Sequence, residues 1–290
     1  MVIQIIGEIL ITLGLILLLF VGWQLWWTNI SASQTQSQAV HTLAEEFKQA
    51  AESEKTSPQQ PTTPDTTTPQ QDPNTTSQPP ETQPHEPLTP HPTETPTTPE
   101  KHENITPEEE KTSEQPTHNN ADSHNPPVGH EPEYGKAYGI VYIPRFGAHY
   151  QRPIAEGTGT DVLDTLGLGH YENTAMPGEI GNFALAGHRQ TNGAVLDYID
   201  QLRIGDRIYV QTINGYYTYT IYETSIVYPE DIYVIAPNPQ HPNEQPTERI
   251  MTLTTCHPRF GDTQRYIVHA RYEHWQPLSA GAPQELQIAQ

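Results

Sequence analysis

Residues 249–272 read RIMTLTTCHPRFGDTQRYIVHARY. Two runs rich in β-branched and aromatic residues, 249–256 and 264–272, have the composition of strands. His257 and Pro258 interrupt them, and the first ladder must stop there because proline has no N–H to donate. The intervening HPRFGDTQ is short enough to bring the end of one strand beside the start of the next. Cys256 closes the first strand and Arg265 opens the second.

Working outward, YGIVYIP (138–144), NFALA (182–186), DRIYVQTI (206–213) and residues 216–228 also read as strands. The last two flank Asn214 and Gly215, a strong hairpin signal because both residues tolerate positive φ. Helices are expected only as short pieces, over 161–166 and 194–202. At least six β segments with so little helix give an all-β domain, read as a closed barrel.

The remainder of the chain has a different character. Of 290 residues 29 are proline, about twice the usual share of ~5%. Residues 1–134 carry 19 acidic and 4 basic side chains, against 16 and 10 in 135–290. One folded domain over the whole length is excluded, and no basic face is offered to a nucleic-acid backbone. A single cysteine excludes a disulfide framework.

ILITLGLILLLFVGWQLWW (9–27) carries no charge. Its 19 residues match the roughly 30 Å hydrocarbon core of a bilayer, with Trp23, Trp26 and Trp27 at one end. No Lys or Arg precedes the run, so residues 1–33 read as an uncleaved anchor rather than a signal peptide, although Ser31-Ala32-Ser33 has the small residues of a cleavage site. Residues 34–133 read as a stalk and linker. Over 34–53 a short amphipathic continuation is possible, with Val40, Leu43, Phe47 and Ala51 near one face. From about residue 57 the Pro/Thr/Ser/Gln-rich composition predicts disorder. Such a stalk suits a domain carried away from a membrane. Seven histidines scattered in 34–133 read as solvated side chains, not metal ligands.

In a domain without a partner cysteine, a free thiol at a strand end is a candidate nucleophile, and it needs a base or cation beside it. Seven histidines follow residue 134: His149, His170, His188, His241, His257, His269 and His274. His257 adjoins Cys256 and points to the opposite side of an extended chain. His241 lies in a polar loop and His269 within a strand. His188, at a strand end in ALAGHRQ, is the best candidate on spacing. Arg265 is the leading candidate for stabilising an oxyanion, with Arg259 and Arg189 as rivals.

These residues carry a resemblance. His188 in NFALAGHR, Cys256 in TLTTCHP and Arg265 before YIV resemble the His, Cys and Arg of the sortase family. The likeness runs over nearly all of 136–273, with GIVYIPRFG similar to the family's first strand and GLGHYENTAMPGEIGNFALAGHR to its approach to the histidine. The TTCHP and AMPGE-GN-A-AGHR phrases are most similar to class E sortases of actinobacteria. The resemblance implies an eight-stranded sortase β-barrel as the catalytic domain over 134–275, followed by a tail over 276–290. It implies a cysteine transpeptidase that needs no cofactor. Cys256 attacks the Thr–Gly carbonyl of a C-terminal LAXTG- or LPXTG-type sorting signal, His188 moves the proton and Arg265 steadies substrate and oxyanion. Thr255 is implied as a substrate-binding position. The implied partners are surface proteins bearing that signal and a peptidoglycan-precursor or pilin amine, with the catalytic domain outside the cell membrane.

Three other readings compete. A non-catalytic sortase-like module binding cell-wall peptides would lack one of the three residues, and none is missing. A metal site built on Cys256 and His257 lacks the spaced second ligand pair. A transpeptidase acting on L,D-linked wall peptides would carry a Ser-x-Gly-Cys-x-Arg type phrase, which is absent. Glu230, Asp231, Glu244 and Glu248 read as solvated loop carboxylates rather than a calcium site.

Overall fold

The computed structural model describes residues 2–56 and 125–288. The disorder expected from residue 57 concerns, over 57–124, residues outside those described. In chain order the strands are β1 (Ala137–Tyr142), β2 (Gln151–Glu156), β3 (Leu168–His170), β4 (Gly181–Gly187), β5 (Arg207–Thr212), β6 (Gly215–Val227), β7 (Arg249–His257) and β8 (Gln264–Gln276). They close into a barrel in the order β1-β2-β3-β4-β7-β8-β6-β5. The pairs β2/β3 and β4/β7 are parallel, and the others are antiparallel.

Six strands fall where the sequence places them. The other two are inconspicuous for physical reasons: β2 contains Pro153 and β3 is only three residues long. The helix expected over 161–166 is the single turn α2 (Thr160–Leu163). The helix expected over 194–202 does not form; a 3-10 turn at Ile199–Gln201 stands in its place. The reason lies just upstream, where Asn192, Gly193 and Ala194 all take positive φ (50°, 89° and 45°), a conformation that cannot start a right-handed helix.

Inward-facing Val141, Ile154, Leu185, Val210, Met251 and Val268 fill the barrel with Phe183, Tyr217 and Tyr219. The β5–β6 hairpin turns one residue earlier than expected, at Ile213 and Asn214, because Thr212 pairs with Gly215. Glycine is required at 215 for a second reason. A Cβ there would lie 2.4 Å from the Gln276 carbonyl oxygen, and φ is +129°.

The helix α1 (Val2–Thr56) has two halves of different chemistry. In the first, Leu10, Leu13, Ile16, Leu17 and Phe20 are each more than half exposed. Among the described residues nothing covers them, which makes this half a candidate membrane span. In the second, Val40, Leu43 and Phe47 are buried against Ile140, Tyr209 and Tyr216 of the barrel wall and Leu278 and Leu286 of the C-terminal segment. Thr35, Ser37 and Thr42 return their hydroxyls to carbonyls four residues back, so these poor helix formers leave no polar group stranded.

Residues 34–56, read from sequence as a stalk, are therefore a packed element of the barrel domain. The face proposed for them is the one that packs. The segment after residue 275 is likewise ordered, with α3 (Gln284–Ile288) pinned by the Tyr209 hydroxyl donating to Glu285 Oε2 at 2.5 Å. Upstream of β1, Tyr217 donates to the Pro127 carbonyl at 2.6 Å.

Candidate active site

Residues two apart on a strand share a face, and this places the site. Along β7, Met251 and Leu253 point into the core, so Thr252, Thr254 and Cys256 line the opposite, outer face. On one side of β7, Thr252 and Thr254 pair with Ala184 and Ala186 of β4. On the other, Thr252, Thr254 and Cys256 pair with His269, Ile267 and Arg265 of β8. His188 is the next residue in phase after Ala186, one position beyond the end of β4. The three sequence candidates His188, Cys256 and Arg265 thus occupy one row across three adjacent strands, on one face and at one end.

The row runs from closed to open. At its closed end, Asn182 donates through Nδ2 to the carbonyls of Val234 (3.1 Å) and Ala236 (3.0 Å), holding the β6–β7 loop over the sheet. Thr252 Oγ1 donates to Asn182 Oδ1 at 2.6 Å and sits 2.8 Å from His269 Nδ1. Its one proton is committed to Asn182, so His269 Nδ1–H is the donor in the second bond. Burial lowers the His269 pKa from its ordinary value, with Glu223 acting weakly the other way. His269 is thus a packed, bonded residue, as expected of a strand histidine. At the open end Cys256 is partly exposed.

His188 is oriented by neighbours that the sequence reading missed. Its Nε2 lies 2.6 Å from Asp164 Oδ1, and Asn192 Nδ2 donates to the same oxygen at 2.7 Å. The carboxylate can only accept, which fixes the Nε2–H tautomer of the neutral ring and leaves Nδ1 for proton exchange. Asp164 caps the end of α2. Asn192 precedes Gly193, and an Asn-Gly pair four residues after the histidine is the one sequence signal that marks a left-handed turn here.

The rival cations are committed elsewhere. Arg189 is buried, donates to Asp200 Oδ2 at 2.7 Å and lies 3.0 Å from His257 Nδ1. Since a guanidinium only donates, it occupies the His257 lone pair and removes that ring as a base for the adjacent thiol. Arg259 donates to Asp197 Oδ2 at 2.6 Å. Arg265 makes no ion pair among the described residues; its Nη1 donates to the carbonyls of Asp262 (2.7 Å) and Gln264 (2.9 Å). Those bonds aim the fork while leaving its charge uncompensated.

Thr255 is out of phase with Cys256. It is buried, and its hydroxyl donates to the Gly187 carbonyl at 2.6 Å. It ties the strand that carries Cys256 to the residue preceding His188. On the outer face beside Cys256, Thr254 Oγ1 instead meets the Tyr171 hydroxyl at 3.0 Å. Among the loop carboxylates, Glu248 pairs with Arg271 at 3.0 Å and Asp231 accepts from the Tyr228 amide at 2.8 Å. No cluster of three His, Cys, Asp or Glu side chains able to hold a metal occurs among the described residues. The site can thus supply a thiol, an imidazole of fixed tautomer and a guanidinium, the set needed to exchange one amide for another through a thioester.

Residues 141–273 match the Sortase domain family model. Sortase SrtE1 of Streptomyces coelicolor is 29% identical over 288 residues, spanning 97% of this chain and 60% of that protein. Sortase D of Bacillus subtilis is 35% identical over 158 residues, spanning 53% of this chain and 73% of that one. The solved structure of the SrtA sortase from Actinomyces oris superposes with a TM-score of 0.54 at 43% identity, covering 57% of this chain and 94% of that chain. The chain therefore spans less than two thirds of the length of the first of these relatives.

Proposed function

The chain belongs to the sortase family, with class E sortases among its relatives, and we propose that it is a membrane-anchored cysteine transpeptidase of the cell surface. The observation that carries this reading is the in-phase row of His188, Cys256 and Arg265 on one sheet face. Cys256 passes its thiol proton to His188 Nδ1, and Sγ adds to the carbonyl carbon of the Thr–Gly bond in an LAXTG- or LPXTG-type sorting signal. The oxyanion forms near the Arg265 guanidinium. His188 gives a proton to the departing glycine amine as the C–N bond breaks, leaving the threonine acyl group on sulfur. An incoming cell-wall or pilin amine loses a proton to His188 as it attacks the thioester, and Sγ departs. Of the two signals, LAXTG is the one that the resemblance of the TTCHP and AMPGE phrases to class E sortases implies.

The uncovered apolar half of α1 supports a single bilayer span, and the chemistry of the substrates supports a catalytic domain outside the membrane. The test uses the full chain in nanodiscs, with LAXTG and LPXTG reporter peptides and an amine acceptor, beside Cys256→Ala. Amine-joined product from LAXTG, absent in the variant, supports the whole reading. Preference for LPXTG keeps the chemistry and removes the signal assignment. Saturable peptide binding without cleavage would indicate a binding module instead.

A further inference from the structure

The loop that follows His188 is held from outside the barrel. Asn192, Gly193 and Ala194 lie consecutively in the left-handed region, at φ 50°, 89° and 45°. Two of the three carry a Cβ, and such backbone persists only where its surroundings over-determine it. Part of the support is local. Leu196 N–H donates to the His188 carbonyl at 2.9 Å, Ala194 N–H donates to the Thr191 carbonyl at 2.8 Å, and Asn192 Nδ2 reaches Asp164.

The rest comes from α1. The Gly193 amide donates to Asn29 Oδ1 at 3.0 Å, and Gln36 Nε2 donates to the Asn192 carbonyl at 3.1 Å. Gln36 is buried to 3% exposure, and its Oε1 has no hydrogen-bond partner among the described residues. The approach is close enough to require glycine: a Cβ on Gly193 would lie 2.6 Å from the Gln36 amide, and one on Gly167 would lie 3.2 Å from it. The polar contacts form the upper end of the interface whose lower end is Val40, Leu43 and Phe47.

We propose that the segment of α1 from Asn29 to Gln36 is a positioning element of the active site, clasping the 192–194 turn so that Asn192 and Asp164 hold His188 in register with Cys256. The anchoring helix and the catalytic histidine are then one mechanical unit. Asn29 follows Trp27 by two residues, about 3 Å along a helix. With 9–27 in the bilayer, the His188 corner lies at the membrane boundary, not at the end of a tether. The kinetic consequence rests on the transpeptidase reading; the clasp itself does not.

The test compares full-length Asn29→Ala, Gln36→Leu and Asn29→Asp with wild type in nanodiscs. Asn29→Asp keeps the acceptor for Gly193 N–H and serves as the rescue. Three readouts apply: amide exchange over 190–195, kcat and KM separately, and the rate at which iodoacetamide alkylates Cys256 at pH 7. The Ala and Leu variants are expected to exchange faster over 190–195 and to lose roughly 10-fold in kcat at unchanged KM, with altered alkylation. Asn29→Asp is expected to match wild type in all three. Faster exchange with wild-type kcat and alkylation would overturn the proposal, as would unchanged exchange. A wild type that turns over no sorting peptide would defeat the proposed function. Exchange and alkylation would then decide the clasp by themselves.

Discussion

Cys256 and Arg265 stand directly opposite one another in the β7–β8 ladder. Cross-strand partners share a face and hold their Cβ atoms about 5 Å apart, so a guanidinium at one position is within reach of a group bound at the other. Arg265→Ala is expected to lower kcat/KM by roughly 100-fold, and Arg265→Lys to recover only part of it, because an ammonium lacks the planar fork. Arg259→Ala, which breaks an exposed pair with Asp197, should stay within about threefold of wild type, as surface ion pairs are worth little. Steady-state kinetics on a sorting peptide separates the three.

Asp164 accepts from His188 Nε2 at 2.6 Å. Asp164→Asn keeps the size but no longer dictates which ring nitrogen carries the proton. It should cost about 10- to 100-fold in kcat with KM little changed, less than for a fully buried aspartate because Asp164 is partly exposed. A loss confined to KM would assign Asp164 to substrate binding instead.

The packing of α1 predicts a stability effect separable from catalysis. Phe47 is 2% exposed, and Phe47→Ala is expected to destabilise the domain by about 3 kcal/mol, from lost burial and the cavity left behind. Urea denaturation of the full chain measures it. A change under about 0.5 kcal/mol would place Phe47 among surface residues, whose substitutions have effects of that size.

His269 predicts a pH effect of defined sign. Its folded pKa is depressed by burial, so below about pH 6.5 the unfolded chain binds a proton that the folded chain refuses. The stability it contributes is complete above that pH and declines as the solution is acidified toward the folded pKa. His269→Asn retains a donor toward Thr252 but does not titrate. Between pH 7.5 and 5.5 wild type should therefore lose more unfolding free energy than the variant. Equal losses would mean that His269 is not held neutral.

The barrel was legible because strand composition, the Pro258 stop and the short turn to Arg265 are all local signals. Spacing singled out His188 and set His257 aside, while Arg189 and Arg259 stayed as rivals to Arg265. The structure pairs those two cations with Asp200 and Asp197, and the His257 ring with Arg189. Pairings across 11 to 68 positions leave no mark on composition or periodicity. Asp164 and Asn192 were missed for the same reason, since each acquires its meaning only when α2 and the 192–194 turn converge on one imidazole. The stalk reading of 34–56 was misleading in a different way. Val40, Leu43 and Phe47 give a correct but narrow apolar face, and nothing in the sequence says that β1, β5 and β6 present the surface to cover it.

The most direct test of the thioacyl chemistry is intact-mass analysis of the full chain quenched in acid during turnover of an LAXTG peptide without added amine. The expected result is an adduct equal in mass to the peptide acyl group ending at threonine. It should map to Cys256, be discharged by hydroxylamine, and be absent in Cys256→Ala. Cleaved peptide with no such adduct, or cleavage that survives in Cys256→Ala, would contradict a covalent mechanism at this residue.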